Sequence, residues 1–187
     1  MNNLKCAIAA MAAFLVASCG GSGSTSANGG NAASDGAKTA TDTWDATDAC
    51  ALLDKAAVAA ALKDAVTEAS VGLVHEASGA EAATSECTYI LASGSRATFM
   101  ARNSPIADNT DEAIALARKT TQEAVSAFTD KKVEDVPGLG KAAFFVPGIN
   151  QLNVFIDDKK FVILTISGAP NATAKATAVD LIGKLKT

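Results

Sequence analysis

One histidine, His75, stands in the whole chain of 187 residues, so no second imidazole is present to build a histidine metal cluster. No G-x-S-x-G stretch occurs, and with it goes the strained strand-to-helix turn that exposes a hydrolase serine. There is no C-x-x-C pair. The glycine-rich stretches GSGS and NGGN lie in a low-complexity tract, while Pro137-Gly138-Leu139-Gly140 precedes a strand-like run in place of a helix, so neither is built to cradle a phosphate. No basic patch appears either. Sixteen Lys and Arg stand against 20 Asp and Glu, a net charge of −4, and nucleic-acid affinity comes mostly from neutralising phosphates. Nucleic acid is therefore not an expected partner, and no cofactor is expected.

What is present begins at the N-terminus. Residues 1–5 carry one cation, Lys5, and residues 6–16 are apolar, the charged and short hydrophobic regions of an export signal. A run of that length is too short for a permanent membrane span, which needs about 20 residues. Val16-Ala17-Ser18-Cys19 then resembles the lipobox of bacterial lipoproteins, in which the cysteine thiol receives a diacylglyceryl group and the signal is cut just before it. The resemblance implies a signal peptide over 1–18 and lipidation at Cys19; the alternative is an ordinary signal with a small-residue cut. One acyl chain anchors only marginally, whereas the two or three of a lipoprotein hold stably. Gly20 in place of an aspartate resembles the outer-membrane sorting pattern, which places the protein in the bacterial cell envelope, on the outer membrane and facing the periplasm. Residues 20–42, rich in Gly, Ser, Ala, Asn and Thr, contain no large apolar side chain and cannot bury enough surface to offset ordering. As a flexible coil they would span roughly 25–30 Å. We read 19–43 as a tether and 44–187 as a single domain, with Trp44 packing the tether's end onto it.

Four cysteines occur. Cys6 leaves with the signal and Cys19 takes the lipid, so Cys50 and Cys87 remain as an even pair. In an oxidising compartment such a pair defaults to a disulfide. Closing that loop stabilises a fold by roughly 4 kcal/mol on chain entropy. A redox or metal-binding pair is the alternative, without a C-x-x-C or a histidine cluster beside it.

Along the domain, Asp48 and Asp54 are candidate N-caps for a short helical turn and for a helix at about 55–63, where alanines favour helix. Three strand-like runs follow at 65–74, 85–92 and 96–102, with Gly94 marking a hairpin turn. Asn109 as N-cap and Glu112 three residues on resemble a capping box. Behind them Ile114, Ala117, Thr121, Val125 and Phe128 recur at helical spacing, a stripe expected in the core. Residues 132–136, 141–147, 151–157 and 160–168 then read as strands and turns, with Asp157-Asp158-Lys159-Lys160 as a charged hairpin. Phe161-Val162-Ile163-Leu164-Thr165-Ile166 is apolar on both faces, as a central strand would be. Asn171 is a candidate cap for a last helix with the stripe Ala174, Ala178, Leu181 and Leu185; Lys184 and Lys186 suit its negative end. The expected class is α+β, an antiparallel sheet with helices packed on one face in the order α-βββ-α-βββ-α. The like order of its two halves suggests two tandem αβββ units.

Asp48-Ala49-Cys50-Ala51-Leu52-Leu53, Glu86-Cys87-Thr88-Tyr89 and Val136-Pro137-Gly138-Leu139-Gly140-Lys141-Ala142-Ala143-Phe144 occur together and in order. They resemble the D-x-C-x-L-L, C-x-aromatic and G-L-G-x-x-A-F pattern of small bacterial envelope lipoproteins of the domain-of-unknown-function 3558 class and related lipoprotein sensor domains. That resemblance implies a Cys50–Cys87 disulfide and brings little chemistry with it. Many members have tryptophan two residues after the second cysteine, where this chain has Tyr89.

Few residues are left as chemical candidates. His75 beside Glu76 is the one pair that an enzyme reading would use as acid and base; a strand-end histidine is the plainer reading. Asp157-Asp158 and Asp130-Lys131-Lys132 suit a divalent cation no better than a solvated turn. The expectation is a non-enzymatic, lipid-anchored envelope protein held to the membrane through Cys19. It would bind a small ligand or an envelope protein, with a purely structural role as the alternative.

Overall fold

The structure, a computed structural model, describes residues 44–185. The signal, Cys19 and the tether read at 1–43, and Lys186, lie outside the described residues. Eleven elements follow in order: α1 (Ala49–Leu52), α2 (Lys55–Leu62), β1 (Val66–His75), β2 (Ala83–Leu91), β3 (Arg96–Asn103), α3 (Asp111–Ser126), β4 (Glu134–Asp135), β5 (Ala142–Val146), β6 (Gln151–Phe155), β7 (Lys160–Ile166) and α4 (Asn171–Ile182). The domain is thus α+β, with one seven-stranded sheet in the order β1-β2-β3-β7-β6-β5-β4. Every pairing is antiparallel. The element order departs from α-βββ-α-βββ-α by the separate turn α1 and the added strand β4, which is two residues long and forms the sheet's far edge.

Alternation along the strands decides where the layers lie, because successive side chains point to opposite faces. On β2, Ser85, Cys87, Tyr89 and Leu91 are buried; on β3, Ala97, Phe99 and Ala101; on β7, Val162, Leu164 and Ile166. Of these, Cys87, Tyr89, Ala97, Phe99, Ala101, Val162, Leu164 and Ile166 form one core with Leu52 and Leu53, Val58 of α2, and Ala174, Ala178, Leu181 and Ile182 of α4. β5 and β6 differ, being buried on both faces. Ala143 and Phe145 join that first core, while Phe144 and Val146 point the other way into a second one with Val133 and Phe155, against which Ile114, Ala117 and Val125 pack. The expectation that the helices share one face therefore fails. α1, α2 and α4 lie on one side and α3 on the other, because β5 and β6 carry apolar side chains at consecutive positions and both faces need cover.

The first core is clamped to α1 by three links. Ser85 Oγ accepts from the Ala49 amide at 2.8 Å, the Tyr89 hydroxyl donates to the Leu53 carbonyl, and the Cys50 and Cys87 sulfurs stand at bonding distance with their Cα atoms 5.0 Å apart. Burial pushes the Tyr89 phenol well above its ordinary pKa of 10.0, so it acts as a neutral donor. Asp48 and Asp54 cap α1 and α2 as read, accepting from the Ala51 and Ala56 amides. Trp44 is buried in the same core, with Lys160 Nζ 5.4 Å from its ring centroid.

Both remaining cap assignments are corrected. Thr110, not Asn109, caps α3, accepting from the Ala113 amide. Asn109 is buried one position earlier, where its amide donates to the Asp157 and Lys160 carbonyls and ties the entry of α3 to the β6–β7 turn. α4 has Pro170 at its N-cap with no side-chain bond, and Asn171 is its first helical residue, its Oδ1 accepting from the Gly148 amide. Proline at the N-cap fixes the entry angle without supplying an acceptor. Phe128 also departs from its expected place in the core: α3 ends at Ser126, and Phe128 is 91% exposed.

Candidate functional site

His75 ends β1, the outermost strand, and is exposed. Its Nε2 lies 3.3 Å from Oε2 of Glu81, across the loop, so the partner is Glu81 and not the neighbouring Glu76. The His75 side chain is 53% exposed. The paired aspartates are likewise spent on structure. Asp157 Oδ1 accepts from the Lys159 and Lys160 amides at 2.8 and 2.7 Å, and Asp158 Oδ1 stands 2.8 Å from Lys141 Nζ. Lys141 also donates to the Asn109 carbonyl; the Asp158 carboxylate, with Asp111 beside it, raises its pKa. Among the described residues no group of three or more His, Cys, Asp or Glu is arranged to hold a metal ion.

Asp157 and Asp158 border a polar hollow of about 510 Å³, and a larger, more apolar cleft lies elsewhere. α4 packs on β6, β7 and α2, and its Lys175 reaches Glu134 of the short β4 at the sheet's edge. Between the flank of α4 and this edge lies a cleft of about 660 Å³, lined by Glu134, Phe145, Asn171, Ala172, Lys175, Ala176 and Val179. The local sequence explains it. Ala174, Ala178 and Leu181 form the buried stripe of α4, so Ala172, Ala176 and Val179, three to four residues apart, share the adjoining face. Small side chains there leave space that a Leu or Met would fill. Phe145, 1% exposed, forms the floor.

One ion pair stands at the mouth. Lys175 Nζ lies 2.8 Å from Glu134 Oε2, with the two side chains 33% and 50% exposed. A pair so placed contributes about 0–1 kcal/mol to folding, so it opens at little cost. The volume falls within the roughly 300–1,000 Å³ of ligand sites, and an apolar lining with few polar groups is their usual composition.

None of the residues named from sequence as site candidates lines this cleft. Lys175, Glu134 and Phe145 come from α4, β4 and β5, more than 40 positions apart at the extremes, and no local motif marks them. The one trace in the sequence is the pair of alanines, Ala172 and Ala176, flanking the core stripe. No helix among the described residues is long and apolar enough to cross a membrane. No family model matches the chain, and comparison with curated proteins and with solved structures finds no match.

Proposed function

We propose that this chain is a lipid-anchored binding protein of the bacterial cell envelope, non-enzymatic, with its ligand site in the cleft between α4 and the β4–β5 edge. The observation that carries the ligand site is that cleft of about 660 Å³, apolar but for one ion pair and the Asn171 side chain. The anchoring half rests on Leu15-Val16-Ala17-Ser18-Cys19-Gly20 and the export-like residues before it. Gly20 supports an outer-membrane location facing the periplasm. The placement of His75, exposed and paired across a loop to Glu81, supports a binding role over acid–base catalysis.

Membership of the domain-of-unknown-function 3558 class of lipoproteins belongs to the same proposal. It draws support from what its motif residues do here: Cys50 and Cys87 meet, Tyr89 clamps α1, and Gly140 sits where no side chain fits. A duplicated αβββ unit draws support from the two meanders β1-β2-β3 and β5-β6-β7, which meet antiparallel at β3 and β7. The placement of α3 on the opposite face from α2 weighs against it.

Native mass spectrometry tests the ligand reading on the whole chain carrying Cys19→Ala, exported to an oxidising periplasm and purified without denaturation. The expected result is a reproducible added mass of small-molecule size that denaturation removes. A clean unliganded mass under those conditions would turn the reading toward an envelope protein partner.

A further inference from the structure

We infer that the cleft takes a single-chain amphiphile with a zwitterionic head, its anion on Lys175 and its cation on Glu134; this rests on the cleft being the ligand site. The cleft offers an apolar track with a charged pair beside it. Ala172, Ala176 and Val179 run along one flank of α4 over the Phe145 floor, a length of roughly 10 Å at the helical rise. That is a track for an alkyl chain, which it would shield from water. Beside that track stand one cation and one anion, Lys175 and Glu134, 2.8 Å apart and part-exposed.

The pair decides the head group by charge complementarity. An uncharged head leaves the ion pair closed and gains nothing from it. A carboxylate alone engages Lys175 but meets Glu134, and an ammonium alone engages Glu134 but meets Lys175. A head carrying both signs opens the pair and gives each side chain a new partner, a phosphate or carboxylate for the Lys175 ammonium and an ammonium for the Glu134 carboxylate. The 33% and 50% exposure of these side chains leaves both free to swing toward such a head, since neither is packed into the core.

Calorimetric titration of the Cys19→Ala chain with lauroyl lysophosphatidylethanolamine, dodecanoate and monolauroylglycerol, each below its micelle concentration, separates the possibilities. The zwitterion should bind about five- to tenfold more tightly than the uncharged ester, the range of one to two part-exposed charge contacts. Glu134→Gln should move the preference to dodecanoate, and Lys175→Gln should bring the zwitterion down to the level of the ester. Ala176→Phe, at an exposed position, should block all three, with Val179→Trp as a second blocking variant. Equal binding of the three heads, unchanged by Glu134→Gln and Lys175→Gln, would overturn the head-group inference and leave the cleft as the ligand site. No binding by the parent chain, or unaltered binding by both blocking variants, would overturn the cleft itself and the inference with it.

Discussion

Gly140 shows how narrowly one residue can be constrained. Its φ is +62°, and a Cβ there would stand 2.5 Å from the Phe155 carbonyl oxygen and 3.0 Å from the Ile156 Cα. Both obstacles are backbone on β6 and its exit, so neither can swing aside, and the left-handed φ adds strain of its own. Gly140→Ala should lower stability by about 2–3 kcal/mol. Urea unfolding checks this, and a loss under 0.5 kcal/mol would contradict the close approach. Asp108 gives the pH counterpart. Both its oxygens accept from the Arg102 guanidinium, and this bonding holds the carboxyl below its ordinary value of 3.8. A depressed folded value means that its stabilisation is full above the unfolded value and is lost as pH falls through the folded one. Asp108→Asn should therefore be less stable than the parent at neutral pH, and the gap should close as pH falls from about 5 toward 2. Parallel stability curves across that range would rule the contribution out. Asp48 and Asp54 were legible as caps because a cap is a local bond, from a side chain to an amide two or three residues on. Asn109 was not, since its partners are 48 and 51 positions away.

At the scale of elements, α1 and β1 make opposite cases. α1 is a single turn of four residues, far too short to persist on its own propensity. It exists because Ser85, Tyr89 and Cys87 of β2 hold it. Replacing Cys50 and Cys87 together by alanine should cost about 2–4 kcal/mol, read by thermal or urea unfolding of the oxidised parent against the variant. It should also raise amide exchange in α1 before α4, because the hydrogen bonds alone then carry the turn. Uniform exchange across both helices would argue that the covalent tie is not local in effect. β1 runs ten residues with every position beyond Val66 exposed. Among the described residues it pairs only with β2, with register shifts near both ends and Leu73 at a positive φ of 51°. Such bulges blunt a free edge against unwanted pairing. Strand patterning marked β1 as a strand, but nothing in that pattern said it would sit at the edge with neither face covered.

For the whole molecule the first consequence is spatial: a folded domain, a low-complexity segment and a lipobox-like cysteine in sequence. On the anchoring proposed above, Cys19→Ala should release the protein from the membrane fraction without changing the domain's unfolding midpoint, as fractionation and a thermal melt would show. Retention on the membrane would exclude acyl anchoring through that residue. The α+β class was legible in the sequence because it follows from local periodicity: alternating apolar residues for strands, stripes at three and four for helices, and glycines and charged turns between. The pairing of Cys50 with Cys87 was legible by elimination, as the even pair left once Cys6 is assigned to a signal and Cys19 to lipidation. What only the tertiary structure decided is which elements meet. The order β1-β2-β3-β7-β6-β5-β4, α3 crossing to the reverse face, and Lys175 standing beside Glu134 at a cleft floored by Phe145 are all long-range outcomes. Periodicity tells each segment how much apolar surface it must bury, but the partner that covers it is chosen by how all the segments pack at once.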